Sequence, residues 1–152
     1  MLLPVFPLLG LSHWLLLRGI RGSPPVSRLA TFGYATFYGA LDVLAGIGTG
    51  TLVWGGLYPG AEEVDALFAV GNLLGTVGSF CFLGACIATS VALLTYVGRA
   101  VGPGAILLVA AAVPFLYSHV YWPVGVLTMV ALAGGFALLA QHVPTRTAVG
   151  QG

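Results

Sequence analysis

The chain has 152 residues, of which 59% are hydrophobic, and it sets five Arg and no Lys against four acids for a net charge of +1. A mean hydropathy of +1.03 belongs to an integral membrane protein rather than a soluble one. There is no basic block to neutralise a run of phosphates, which argues against nucleic acid as a partner, and several spans of roughly 20 residues each leave no room for a soluble domain.

Leu2 to Leu17 is apolar and short, with Arg18, Arg21 and Arg28 after it. A secretory signal has its positive charge first, so this run reads as a retained first span whose carboxyl end faces the cytoplasm. Gly22 to Ser27, with Pro24 and Pro25, reads as a cytoplasmic loop. A second span is expected from about Ala30 to Leu57, closed by Trp54 and Tyr58 at headgroup depth. Glu62, Glu63 and Asp65 follow without a base, which sets them on the side opposite the arginines. They also suit the first turn of a helix, where acids complement the positive end of the macrodipole.

A third span runs from about Ala66 to Val97, and Val101-Gly102-Pro103-Gly104 breaks it. Ala105 to Ala140 is too long for one crossing at about 1.5 Å per residue, and the cluster Tyr117, Ser118, His119, Val120, Tyr121, Trp122 and Pro123 divides it. The fold expected is therefore an all-α integral membrane bundle of five transmembrane helices with short loops. It occupies 1–143 as a single domain, and 144–152 forms a short flexible tail. Five spans put Arg18, Arg21, Arg28, Arg99 and Arg146 on one side, in the plasma membrane, with the amino terminus outside and the tail cytoplasmic. Four spans are the alternative, and they strand Arg146 outside.

Helices in lipid associate through close contact of small residues. Gly46 and Gly50, and Gly71 and Gly75, each stand four apart and are expected to face each other between the second and third spans. Asp42 lies about 18 Å into the second span at helical rise, near the midplane, where a carboxylate must be neutral, paired or hydrated. Tyr34, Tyr38, Asp42 and Thr49 share its face, and Asn72, Thr76, Ser79 and Cys86 line the face opposite. Asp42, Tyr38, Thr49, Asn72, Thr76 and Ser79 are thus the candidate intramembrane polar site.

Cys81 and Cys86 match no metal or redox spacing and read as apolar filler. His13 and His142 are placed at inner span ends and His119 in an outer turn, as interfacial residues; a haem or quinone site at the inner pair is the lesser alternative. No cofactor and no metal are expected. The absence of Lys excludes a Schiff base, and no zinc, nucleophile-elbow or phosphate-loop motif is present, so no catalysis is expected. Two functions remain. In one, the polar face is glue at about 0.6 to 2 kcal/mol per bond, in an accessory or assembly component that packs on the bilayer against itself or other membrane subunits. In the other, Asp42 is the proton or cation site of a small transporter or channel.

Overall fold

The computed structural model describes residues 5–18, 20, 25–118 and 121–143. Expectations that fall on the first four residues, Arg21, Gly22 to Pro24, His119 and Val120, Arg146 and the tail lie outside these residues. Every regular element among the described residues is helical. Helix α1 is Val5–Leu17, α2 is Pro25–Trp54, α3 is Glu62–Tyr96, α4 is Gly102–Phe115 and α5 is Val124–Ala140. By length and composition, α2 and α3 are able to cross a membrane, and the other three are shorter apolar helices.

Helix α2 starts earlier than the sequence suggested. Pro25 to Ser27 form its first turn instead of ending a loop, because a proline at the first helical position has no hydrogen bond to lose there. Helix α3 begins at Glu62, after Ala61 in extended backbone, with Glu62, Glu63 and Asp65 in its first turn. It ends where Gly98, at φ +96°, takes the left-handed conformation that closes helices and donates to the Leu94 carbonyl at 3.1 Å. A 3₁₀ turn, Arg99–Val101, then leads into α4, whose first turn contains Pro103. The apolar stretch after it is two helices, with the break at Leu116 to Pro123.

Close contacts fix the directions. Gly71 lies against Ala45, Gly75 against Leu41, Gly78 against Tyr38 and Gly84 against Ala30, so α2 and α3 run antiparallel along their shared length. The same reversal pairs Gly104 with Leu139 and Gly135 with Leu108 between α4 and α5. Phe6 stacks on Tyr38 and Gly10 meets Tyr34, which makes α1 antiparallel to α2. These directions bring Arg18, Arg28 and Arg99 to one end of the bundle, and Glu62, Glu63 and Asp65 to the other.

Lengths are unequal. At about 1.5 Å per residue, α2 and α3 reach about 45 and 52 Å, while α1, α4 and α5 reach only about 20 to 26 Å. The short helices start from the arginine end and stop level with Tyr38: Phe6 opens α1 there, and Phe115 closes α4 there with its ring 5.6 Å from Tyr38. Five helices therefore pack around a common core of Tyr34, Tyr38, Phe82, Leu93, Leu108 and Leu132. Beyond that shelf α2 and α3 continue as a hairpin, with Leu116, Tyr117 and Tyr121 beside its base.

Gly46 and Gly50, expected in the helix contact, meet open space, whereas Gly71 and Gly75 lie within it. Gly78 makes a closer approach still: a Cβ there would sit 2.9 Å from the Tyr38 backbone nitrogen. Gly78→Ala is expected to force the backbones apart and destabilise by about 1 to 3 kcal/mol. Gly50→Ala fills open space and should stabilise by about 0.5 to 1 kcal/mol. Equilibrium unfolding of the two variants, followed by circular dichroism, checks the opposite signs.

Candidate functional site

The inward face of α2 is polar at helical spacing. Ser27, Thr31, Tyr34 and Tyr38 are buried in turn, and Asp42 comes next, half-buried. At Asp42 the helix changes its winding. Asp42–Gly48 is π-helical, a form often met at functional positions. Two glycines, Gly46 and Gly48, fall in these seven residues and weaken the α-helical preference. The segment also begins one turn past the level where Phe6 and Phe115 meet Tyr38.

Above the shelf, Asp42 looks into a cleft of about 560 Å³ between α2, α3 and the α4–α5 turn. Tyr38, Asn72, Thr76 and Ser79 line it together with Asp42. Thr49 does not, because i→i+5 winding widens the turn and a step of seven no longer returns to the face of Asp42. Its hydroxyl bonds the Leu44 carbonyl at 3.3 Å.

The polar neighbours do not hold the carboxylate. Thr76 donates to the Asn72 carbonyl of its own helix at 2.8 Å, and no hydrogen bond or ion pair reaches Asp42 among the described residues. The described arginines lie at the far end of the bundle. Aromatic rings complete the wall, with Phe6 and Phe68 from α1 and α3, and Tyr117 and Tyr121 from the α4–α5 turn.

A packed column of rings separates this cleft from a second polar centre. Tyr38 lies 5.3 Å from Tyr34, Tyr34 lies 4.8 Å from Phe82, and Phe82 lies 5.7 Å from the imidazole of His13. His13, expected near an interface, is fully buried. Its Nδ1 is 2.9 Å from Thr89 Oγ1, which is 2.9 Å from Ser27 Oγ. On the other side of the ring, Nε2 is 3.8 Å from Cys86 Sγ, so Cys86 is a polar contact as well as filler. Cys81 packs its sulfur against Gly33 instead.

Two proton arrangements satisfy this chain. Either Ser27 donates to Thr89, Thr89 to Nδ1 and Nε2–H to the sulfur, or each bond runs the other way. Thr31 adds a bond to the Ser27 carbonyl at 2.8 Å. The sequence did carry a trace of the network, since Thr89 extends the line from Ser79 and Cys86 by a step of three, and Ser27 and Thr31 continue the line from Tyr34. His142, by contrast, is exposed, and its Nδ1 donates to the Leu138 carbonyl at 3.0 Å. No three His, Cys, Asp or Glu side chains among the described residues group to hold a metal ion.

Comparison with protein families, curated proteins and solved structures found no match to the chain. Its function has to be argued from these two centres.

Their energetics separate experimentally. Thr89→Val keeps shape but removes both bonds of the hub, leaving two buried groups without partners, at a cost of about 2 to 4 kcal/mol. The Tyr34 hydroxyl is buried with no hydrogen bond to the described residues, so Tyr34→Phe removes only an unsatisfied group and should be neutral or stabilising by about 1 kcal/mol. Denaturant unfolding of both variants gives the comparison.

Proposed function

We propose that this is a small multi-pass membrane protein that takes up a cation at Asp42, as a carrier or channel. Membrane insertion is supported by the composition, by the lengths of α2 and α3, and by the apolar surface. Leu29 is 72% exposed, Leu73 67% and Ile106 73%, and a soluble bundle does not leave so broad an apolar face in water. The segregation of the described arginines from Glu62, Glu63 and Asp65 supports a plasma-membrane orientation with the arginine end cytoplasmic and the amino terminus outside.

The observation that carries the functional reading is the carboxylate in a cleft with no hydrogen-bond or ion-pair partner among the described residues. An acid kept as glue between helices is bonded to its neighbours, and Asp42 is not. Among the described residues no base stands beside Asp42, so on this reading its charge complement is supplied by a bound cation. On this reading Asp42 lies about 26 Å along α2 from the arginine end. That is nearer the outer face than the midplane, since the helix starts at Pro25 rather than Ala30. Tyr117, Tyr121 and Trp122 stand at the same level, as residues of an outer aromatic belt do.

A second reading, an accessory or assembly component, is favoured by the hairpin beyond the shelf. Val43, Ile47 and Leu73 are half or more exposed there, a surface suited to a second copy or another membrane subunit. The two readings are compatible if the assembly is the working unit.

In proteoliposomes, the wild type is expected to pass at least one of protons, rubidium and a small organic ammonium ion down an imposed gradient faster than empty vesicles. Asp42→Asn should keep the helical content and slow that flux by about tenfold or more, because it removes the charge and little else. Equal flux through wild type and Asp42→Asn, or through wild-type and empty vesicles, rejects the cation mechanism. In that case recovery of a stable larger complex in mild detergent favours assembly.

A further inference from the structure

Resting on the cation reading of the cleft, we infer that its ligand is an organic ammonium ion, a quaternary or protonated amine bearing apolar substituents, and not a bare metal ion. The donor set points there. A hard cation such as sodium or calcium replaces its hydration shell with several oxygens at short range. The cleft provides one carboxylate, and its other side-chain oxygens, from Asn72, Thr76, Ser79 and the tyrosines, are neutral. What the cleft has in quantity is rings.

Phe6, Tyr38, Phe68, Tyr117 and Tyr121 contribute five aromatic side chains around a single negative charge. The face of each ring is electron-rich, and it attracts a poorly hydrated ammonium while its hydrocarbon body covers the alkyl groups. Tyr38 and Phe6 are set by the core beneath, with centroids 4.7 Å apart. Tyr117 and Tyr121 are 85% and 78% exposed, so they form a rim that has room to close over a ligand. Size agrees, since about 560 Å³ falls in the range of small-molecule sites, roughly 300 to 1,000 Å³, and far exceeds what a dehydrated ion fills. Among the described residues that line the cleft, Asp42 alone carries a formal charge.

The full-length protein in detergent, titrated calorimetrically with benzyltrimethylammonium, tests this. Binding by the wild type is expected, with at least about tenfold weaker binding of the uncharged carbon isostere neopentylbenzene and of Asp42→Asn. Tyr117→Leu and Tyr121→Leu alter exposed positions, so they should fold normally by circular dichroism and each weaken benzyltrimethylammonium binding about threefold to tenfold. A large excess of sodium chloride should not displace the ligand beyond the effect of ionic strength.

Equal binding of neopentylbenzene, or full affinity in both tyrosine variants, overturns the inference. If sodium binds in an Asp42-dependent way and benzyltrimethylammonium does not, the cation reading stands and the organic ligand falls. If neither binds the wild type, both fall together.

Discussion

The close approach of α2 and α3 is the constraint from which the rest of the architecture follows. At Gly71, Gly75 and Gly78 an added Cβ would come within 3 Å of α2, so the Ala45 and Leu41 side chains fill the notches at the first two and the helices meet backbone to backbone at Gly78. Such contact tolerates only one register, because sliding by one turn would bring a larger residue against Leu41 or Tyr38. That register sets Tyr38 beneath the cleft and Asp42 at its wall. It also leaves the Tyr34, Tyr38 and Phe82 rings as a ledge on which α1 and α4 close. In a lipid environment, where no hydrophobic force draws helices together, such contact is the main attraction available.

Unequal helix length then makes the site. Were α1 and α4 each two turns longer, they would cover Asp42 and the start of the π-helical segment, and the carboxylate would have to be neutralised or paired within the core. Helix α4 ends at Phe115 instead, and the described part of α1 begins at Val5. The widened turn from Asp42 to Gly48 lies directly above that edge, where no third helix packs against α2 to hold an ordinary α-helical pitch. Cleft, π-helix and the end of cover thus coincide at one level, and each is a consequence of short partners on a long pair.

Much of this was legible in the sequence. The division of the last apolar stretch followed from its length and from the cluster before Pro123. The acids of the first turn of α3 followed from helix electrostatics. The joint lining of the cleft by Asp42, Tyr38, Asn72, Thr76 and Ser79 followed from a period of 3.6 on two antiparallel helices. What escaped was whatever breaks that period or crosses between distant segments. Thr49 left the face of Asp42 because the winding changed between them, and a spacing rule assumes constant pitch. Gly46 and Gly50 lost their contact for the same reason. His13 was misplaced because its partners are 76 and 73 residues away, at Thr89 and Cys86, and no local pattern encodes the packing of α1 into the α2–α3 groove. The start of α2 was misjudged because a proline that stops one helix is also the residue best suited to begin the next.

The two polar centres are treated in opposite ways, and the contrast bears on which of them acts. Around His13 both ring nitrogens have partners, Thr89 is used twice, and aromatic edges from Phe82 and Phe136 seal the imidazole. A buried polar group with every partner supplied fixes a unique packing, and here it locks the short α1 to both long helices. Asp42 has polar side chains within its cleft and bonds to none of them, although moving a threonine or asparagine by one turn would have given it a donor. The fold satisfies a histidine, a threonine and a serine in its interior and leaves only neutral hydroxyls, those of Tyr34 and Ser90, buried without a hydrogen bond among the described residues. Leaving a carboxylate unpaired is far more costly. An acid left open in a cleft of that same fold is better explained by a visiting partner than by poor packing. The closed network therefore supports the structure, and the open carboxylate is the place we propose for an external cation.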